Sequence, residues 1–143
     1  MNPKLLLRIA AILMLLHAVG HTMGTLNWQN NPDPAVSKVV QGMINQHFVF
    51  MGRSSTIAMF YTGYGVTLIF VLLLITALLW VAGNHTDNRP LINKLLALLF
   101  SFLCLFAVTE FIYFFLFAAS FSFLAAVLTG IAMIRIRKTN SPN

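Results

Sequence analysis

Read along its length, the chain alternates long apolar runs with short polar breaks. The first run, Leu5 to Leu26, carries one formal charge, at Arg8. At 1.5 Å per residue such a stretch crosses roughly 30 Å of hydrocarbon, and an arginine near the start can carry its guanidinium back to the interface. In the polar break TLNWQNNPDPAVSK that follows, Asp33 suits an N-cap and Pro34 a first helical position. From there to Met51, Val36, Val39, Val40, Met43, Ile44, Phe50 and Met51 share one helical face, with Lys38, Gln41 and Asn45 opposite. This predicts an amphipathic helix over 34–51, too short and too polar to span and therefore interfacial.

Gly52 ends that helix, Ser54 or Ser55 can cap the next, and a second span runs over 56–82 with Trp80 at the interface and Gly83 just past the end. After the polar loop GNHTDNRP the chain is almost wholly apolar from Leu91 to Ile136, about twice one bilayer crossing, so it must reverse once. Glu110, the one charge between Lys94 and Arg135, marks the reversal and places spans at 91–110 and 115–136. The expected fold is all-α and membrane-embedded: a four-transmembrane-helix bundle with a short extracytoplasmic amphipathic helix between helices 1 and 2, forming one domain over 1–143. The tail KTNSPN is expected to fray.

Composition agrees, with 59% hydrophobic and 8% charged residues against roughly 25% charged in soluble domains. The lipid bilayer is therefore the first partner. A net charge of +6 raises nucleic acid as another, but the basic residues sit at the ends of apolar runs, where anionic headgroups and topology account for them, and nucleic acid is set aside. With the N-terminus inside, Lys4, Arg8, Arg89, Lys94, Arg135, Arg137 and Lys138 are cytoplasmic, and only Lys38 and Arg53 lie outside. This predicts a multi-pass protein of a bacterial inner membrane with both termini cytoplasmic. Reading the first run as a signal peptide fits Lys4 and Arg8 but meets His17 and His21 where the apolar region should end, with no small-residue cleavage site after them. Asn84-His85-Thr86 is a glycosylation sequon without meaning in a cytoplasmic loop. The single Cys104 excludes an intrachain disulfide. No phosphate-binding loop, serine-hydrolase order or C-x-x-C motif is present.

The candidate chemistry collects at one predicted depth, in the outer half of the bundle: His17, His21, His47, Arg53, Tyr61, Tyr64 and Glu110. His17 and His21, four residues apart, project from one helix face, a spacing that lets two imidazoles share a metal. His47 falls on the apolar face of its predicted helix, so that His17, His21 and His47, with Glu110 as a fourth donor, define a candidate metal site. Three readings of the histidines stay open: metal or haem ligation, hydrogen bonding within a helix interface, and a polar pocket for an organic ligand. Glu110 is equally a proton acceptor losing solvation at the membrane boundary, a solvated loop-tip residue, or an ion-pair partner of Arg53. Tyr61 and Tyr64 suit an aromatic belt. The phenylalanines, thirteen in all, make walls against which a lipophilic chain would fit. Gly20 and Gly24 form a small-xxx-small face beside the histidine pair, and Gly63 and Gly65 thin the second span, as packing glycines do.

LHAVGHTMGTL in the first span and FMGRSSTIAMFYTGYGVTLIFVLLLITALLW through the second resemble an uncharacterised family of small bacterial four-helix inner-membrane proteins. Its recurring features match His17-Ala-Val-Gly-His21, Met51-Gly52 to Arg53-Ser54, and Phe60-Tyr61 to Gly65. The resemblance implies four spans and an inner-membrane location and carries no activity with it. The chain is also similar, at the level of fold alone, to DoxX-type and sterol-isomerase-like bundles. Three functions follow as expectations: an outward-facing His/Tyr/Glu pocket for a small lipophilic ligand or metal; a non-catalytic subunit whose glycine faces pack against a membrane complex or a second copy; and an acid/base isomerase of a lipid-like substrate.

Overall fold

The computed structural model describes residues 2–138. The elements in chain order are α1 (Pro3–Asn27), α2 (Pro34–Asn45), β1 (His47–Phe50), β2 (Arg53–Thr56), α3 (Ile57–Asn84), α4 (Arg89–Tyr113) and α5 (Leu116–Lys138). Four of them, α1, α3, α4 and α5, are long and apolar enough to cross a membrane. The fold is the all-α four-span class the hydropathy pattern predicts. The tail beyond Lys138, expected to fray, lies outside the described residues.

Two compact units divide the chain. One takes in the residues up to Ala18 and from Leu72 onward, the other Val19–Val71. In the first, each long helix contributes a stretch to a four-helix bundle. Leu7, Met14, Leu72, Leu79, Leu96 and Leu103 are fully buried in it. Along α4 the buried positions Ile92, Leu96, Leu99, Leu103, Ala107 and Glu110 recur every three or four residues, one inward stripe. Along α5 the stripe is built from small residues: Ala118, Ser122, Ala126 and Gly130 fall four apart, which lets backbones approach closely. At Gly130 an added Cβ would lie 3.0 Å from the Phe100 ring, and at Gly83 3.4 Å from Leu7 Cβ and the Lys4 carbonyl.

The start of α1, the α3–α4 loop and the end of α5 meet around a small hollow lined by Asn2, Pro3, Asp87, Arg89 and Ile136. Arg8 joins α1 to the end of α3, its guanidinium 5.1 Å over the Trp80 ring and donating to Asn84 Oδ1 at 3.1 Å. One end of this bundle thus collects the basic residues at the starts of α1 and α4 and at the end of α5.

The second unit departs from expectation. Asp33 caps α2 as read, its carboxylate accepting from the Ala35 N–H at 2.8 Å, with Pro34 in the first turn. The helix then stops at Asn45 rather than continuing to Met51. His47–Phe50 pairs antiparallel with Arg53–Thr56 in the register His47↔Thr56 to Phe50↔Arg53. Met51 and Gly52, at φ +50° and +80°, form the two-residue turn, the geometry whose twist matches a hairpin. Two aromatics and a valine in four residues favour a strand over a helix end. The cap of α3 is Thr56, whose hydroxyl accepts from the Met59 N–H at 3.2 Å, rather than Ser54 or Ser55. α4 runs three residues past the expected end, to Tyr113, and the chain reverses at Phe114 and Phe115, so Glu110 belongs to the body of α4.

Candidate functional site

In the first unit α1 buries Leu7, Ala10, Met14, His17 and Ala18 along one stripe. The imidazole of His17 therefore enters the bundle where its own helix would otherwise present an aliphatic group. It is 5% exposed, and Glu110 is 3% exposed. His17 Nε2 lies 3.1 Å from Glu110 Oε1, and Nδ1 lies 3.4 Å from the hydroxyl of Ser122, which is fully buried. One arrangement links all three groups: Ser122 Oγ–H donates to Nδ1, so the proton sits on Nε2, which donates to Glu110 Oε1. Phe106 and Phe121 flank the ring, with centroids 6.1 and 5.9 Å away. The second carboxyl oxygen, Glu110 Oε2, is buried with no hydrogen-bond partner.

Burying a carboxyl and an imidazole in an apolar environment is costly, and their mutual bond offsets it only in part. The unmatched Oε2 makes the arrangement less favourable still. Intramembrane ionisable residues kept at such a cost are candidate functional groups. A serine, a histidine and an acid in series resemble a hydrolytic triad, but here the serine faces Nδ1 and the acid Nε2, and Ser122 exposes no surface to a substrate.

The second unit uses its polar residues otherwise. His21 Nε2 is 3.1 Å from the Gly65 carbonyl and 3.3 Å from Thr25 Oγ1. Trp28 Nε1 donates to Thr62 Oγ1 at 3.3 Å, and its ring packs 4.7 Å from that of Tyr61. These contacts join the last turns of α1 to the first turns of α3. Gly65 is where the two backbones come close: an added Cβ would fall 2.8 Å from the Thr25 methyl. At Gly20, Gly24 and Gly63 an added Cβ would meet nothing within 4 Å of this chain. His47 sits on a strand, not on a helix face, exposed and 3.4 Å from the Ser54 hydroxyl. Arg53, Tyr61 and Tyr64 are exposed.

The predicted site residues thus yield one buried contact of two ionisable groups, His17 with Glu110. The partner of Glu110 is that histidine and not Arg53. Among the described residues no group of three or more His, Cys, Asp or Glu side chains is placed to hold a metal ion. Ser122 was missed; its place in the Ala118-x-x-x-Ser122-x-x-x-Ala126 series of α5 was the signal for an inward-facing hydroxyl. No family model matches the chain, and no curated protein or solved structure shows significant similarity to it.

Proposed function

We propose that this integral membrane protein resides in a bacterial inner membrane with both termini cytoplasmic, and that it binds a small amphiphile at the His17–Glu110 pair. The observation that carries the reading is Glu110 Oε2, a buried acceptor without a donor beside an imidazole that already holds the other oxygen. A ligand with an ammonium or hydroxyl group on an apolar body supplies the missing donor, and Phe106 and Phe121 receive the apolar part. Both rings are only half-buried, so the path runs laterally from lipid, between them. The site narrows from the wider His/Tyr/Glu set to His17, Glu110 and Ser122. Kinship with the small four-helix inner-membrane family belongs to the same proposal. Both its location and the sidedness rest on the predicted seven-to-two distribution of Lys and Arg.

The test is photolabelling in nanodiscs with three diazirine probes of equal chain length: an alkylamine, an alcohol and a hydrocarbon. The amine labels α4 and α5 around Phe106 and Phe121 most strongly, and Glu110→Gln reduces that labelling about tenfold, the loss expected for one charge-assisted hydrogen bond. Equal labelling by all three probes, or no effect of Glu110→Gln, rejects the reading.

A second reading is favoured by a different observation. Gly20, Gly24 and Gly63 are exposed with open space around them, as in helices that receive another helix. A second copy or the helix of a membrane complex would fill that space. Cysteine crosslinking at Val19 and Met23 in native membranes checks it; no crosslinked species at any density of protein rejects it.

A further inference from the structure

The hairpin β1–β2 carries a cluster of apolar side chains that its own unit leaves uncovered. Pairing puts Phe48 and Phe50 on one face, with Ser55 and Arg53, and His47 and Val49 on the other. At the tip Val49 is 77% and Met51 92% exposed, and Phe50 is half exposed between them. In water such a tip is unfavourable by about 25 cal/mol for each Å² left uncovered.

Where the tip points follows from two ring contacts. Phe50 pairs with Arg53, and α3 begins at Ile57, so a hairpin continuing the helix axis outward would hold Phe50 roughly 13 Å beyond the helix start, at about 3.3 Å per residue. Instead Phe50 meets the edge of Phe60 at 5.7 Å, and Phe48 stacks on the same ring at 6.0 Å. Phe60 lies in the first turn of α3, roughly 5 Å along the helix from its start. The hairpin therefore does not continue the helix axis but bends toward α3, and Phe50 beside its tip reaches the first turn of that apolar helix. Tyr61 and Tyr64, both exposed on that same end of α3, are the residue type that marks the headgroup level.

We infer that the hairpin is a lipid-seated finger: Val49, Phe50 and Met51 enter the headgroup and upper acyl region, and Arg53, exposed beside the turn, meets lipid phosphate. The depth is bounded from below, because an open sheet edge keeps its unpaired N–H and C=O groups out of hydrocarbon. The side chains therefore reach into the acyl boundary while the strand backbone stays in the hydrated layer. Apolar tip and adjacent cation together are the chemistry of interfacial anchoring to anionic lipid.

Spin labels test this in the full chain, with Cys104→Ser as background. Met51→Cys and Val49→Cys replace exposed side chains, so neither disturbs packing, and Asn31→Cys in the exposed α1–α2 loop is the aqueous control. In phosphatidylglycerol-containing liposomes, labels at 51 and 49 are more accessible to oxygen than to a water-soluble nickel chelate, and the label at 31 shows the opposite order. With Arg53 in place the labels at 51 and 49 move toward the aqueous order as anionic lipid is replaced by zwitterionic, and Arg53→Gln abolishes that dependence on lipid charge. If both tip labels behave like the one at 31, the finger is in water, free for a protein partner, and the inference is overturned.

Discussion

His17 and His21 stand one turn apart on the same helix, and the two units put them to different use. His17 meets a carboxylate and a hydroxyl from α4 and α5, all three groups buried. His21 meets a backbone carbonyl of α3 and a threonine of its own helix. The second arrangement needs no ionisable residue, since any donor of the right length would serve the Gly65 carbonyl. The first is chemically specific, and it leaves Glu110 Oε2 unmatched. What separates a candidate site from a helix fastener is therefore the partner, and spacing along α1 does not report it.

The largest expected effect tests that contrast directly. His17→Leu leaves Glu110 buried with neither oxygen bonded and destabilises the protein by about 3 kcal/mol, whereas the double change His17→Leu with Glu110→Leu returns to near wild-type stability, as replaced buried ion pairs do. Unfolding in mixed micelles reads both; a double variant as unstable as the single one breaks the comparison by making the pair a fastener too. Next, Gly65→Val forces the Thr25 side chain aside and costs about 1–3 kcal/mol by overpacking, most of it recovered by Thr25→Ala. Smallest is His21→Ala, at about 0.6 kcal/mol for one lost bond between membrane helices, with photolabelling around Phe106 unchanged. A loss of labelling in that variant would join the two histidines in one site.

The four spans were legible because hydropathy over twenty residues is a strong signal that no tertiary contact overrides. Glu110 was misplaced by the same signal: a lone charge in an apolar run reads as a boundary marker, and the rule that buried charges are paired competes with it. The stripe Ile92, Leu96, Leu99, Leu103 ran toward Glu110 at helical spacing and pointed inward. Its partner, however, lies far away in sequence, and no local pattern joins them. The hairpin was hidden for a different reason. Met43 and Ile44 align with Phe50 and Met51 on a helical face, which outweighed the strand-forming HFVF and the Gly52 of the turn. Met51 in a left-handed conformation is an unusual partner for that glycine.

Between α4 and α5 only Phe114 and Phe115 interrupt the helices, and that joint bears on how the site is put together. It offers no polar loop between the two apolar helices, so α4 and α5 form a single helical hairpin that carries Glu110 and Ser122 together. His17 comes from the other end of the chain, and the site closes only where that hairpin docks onto α1.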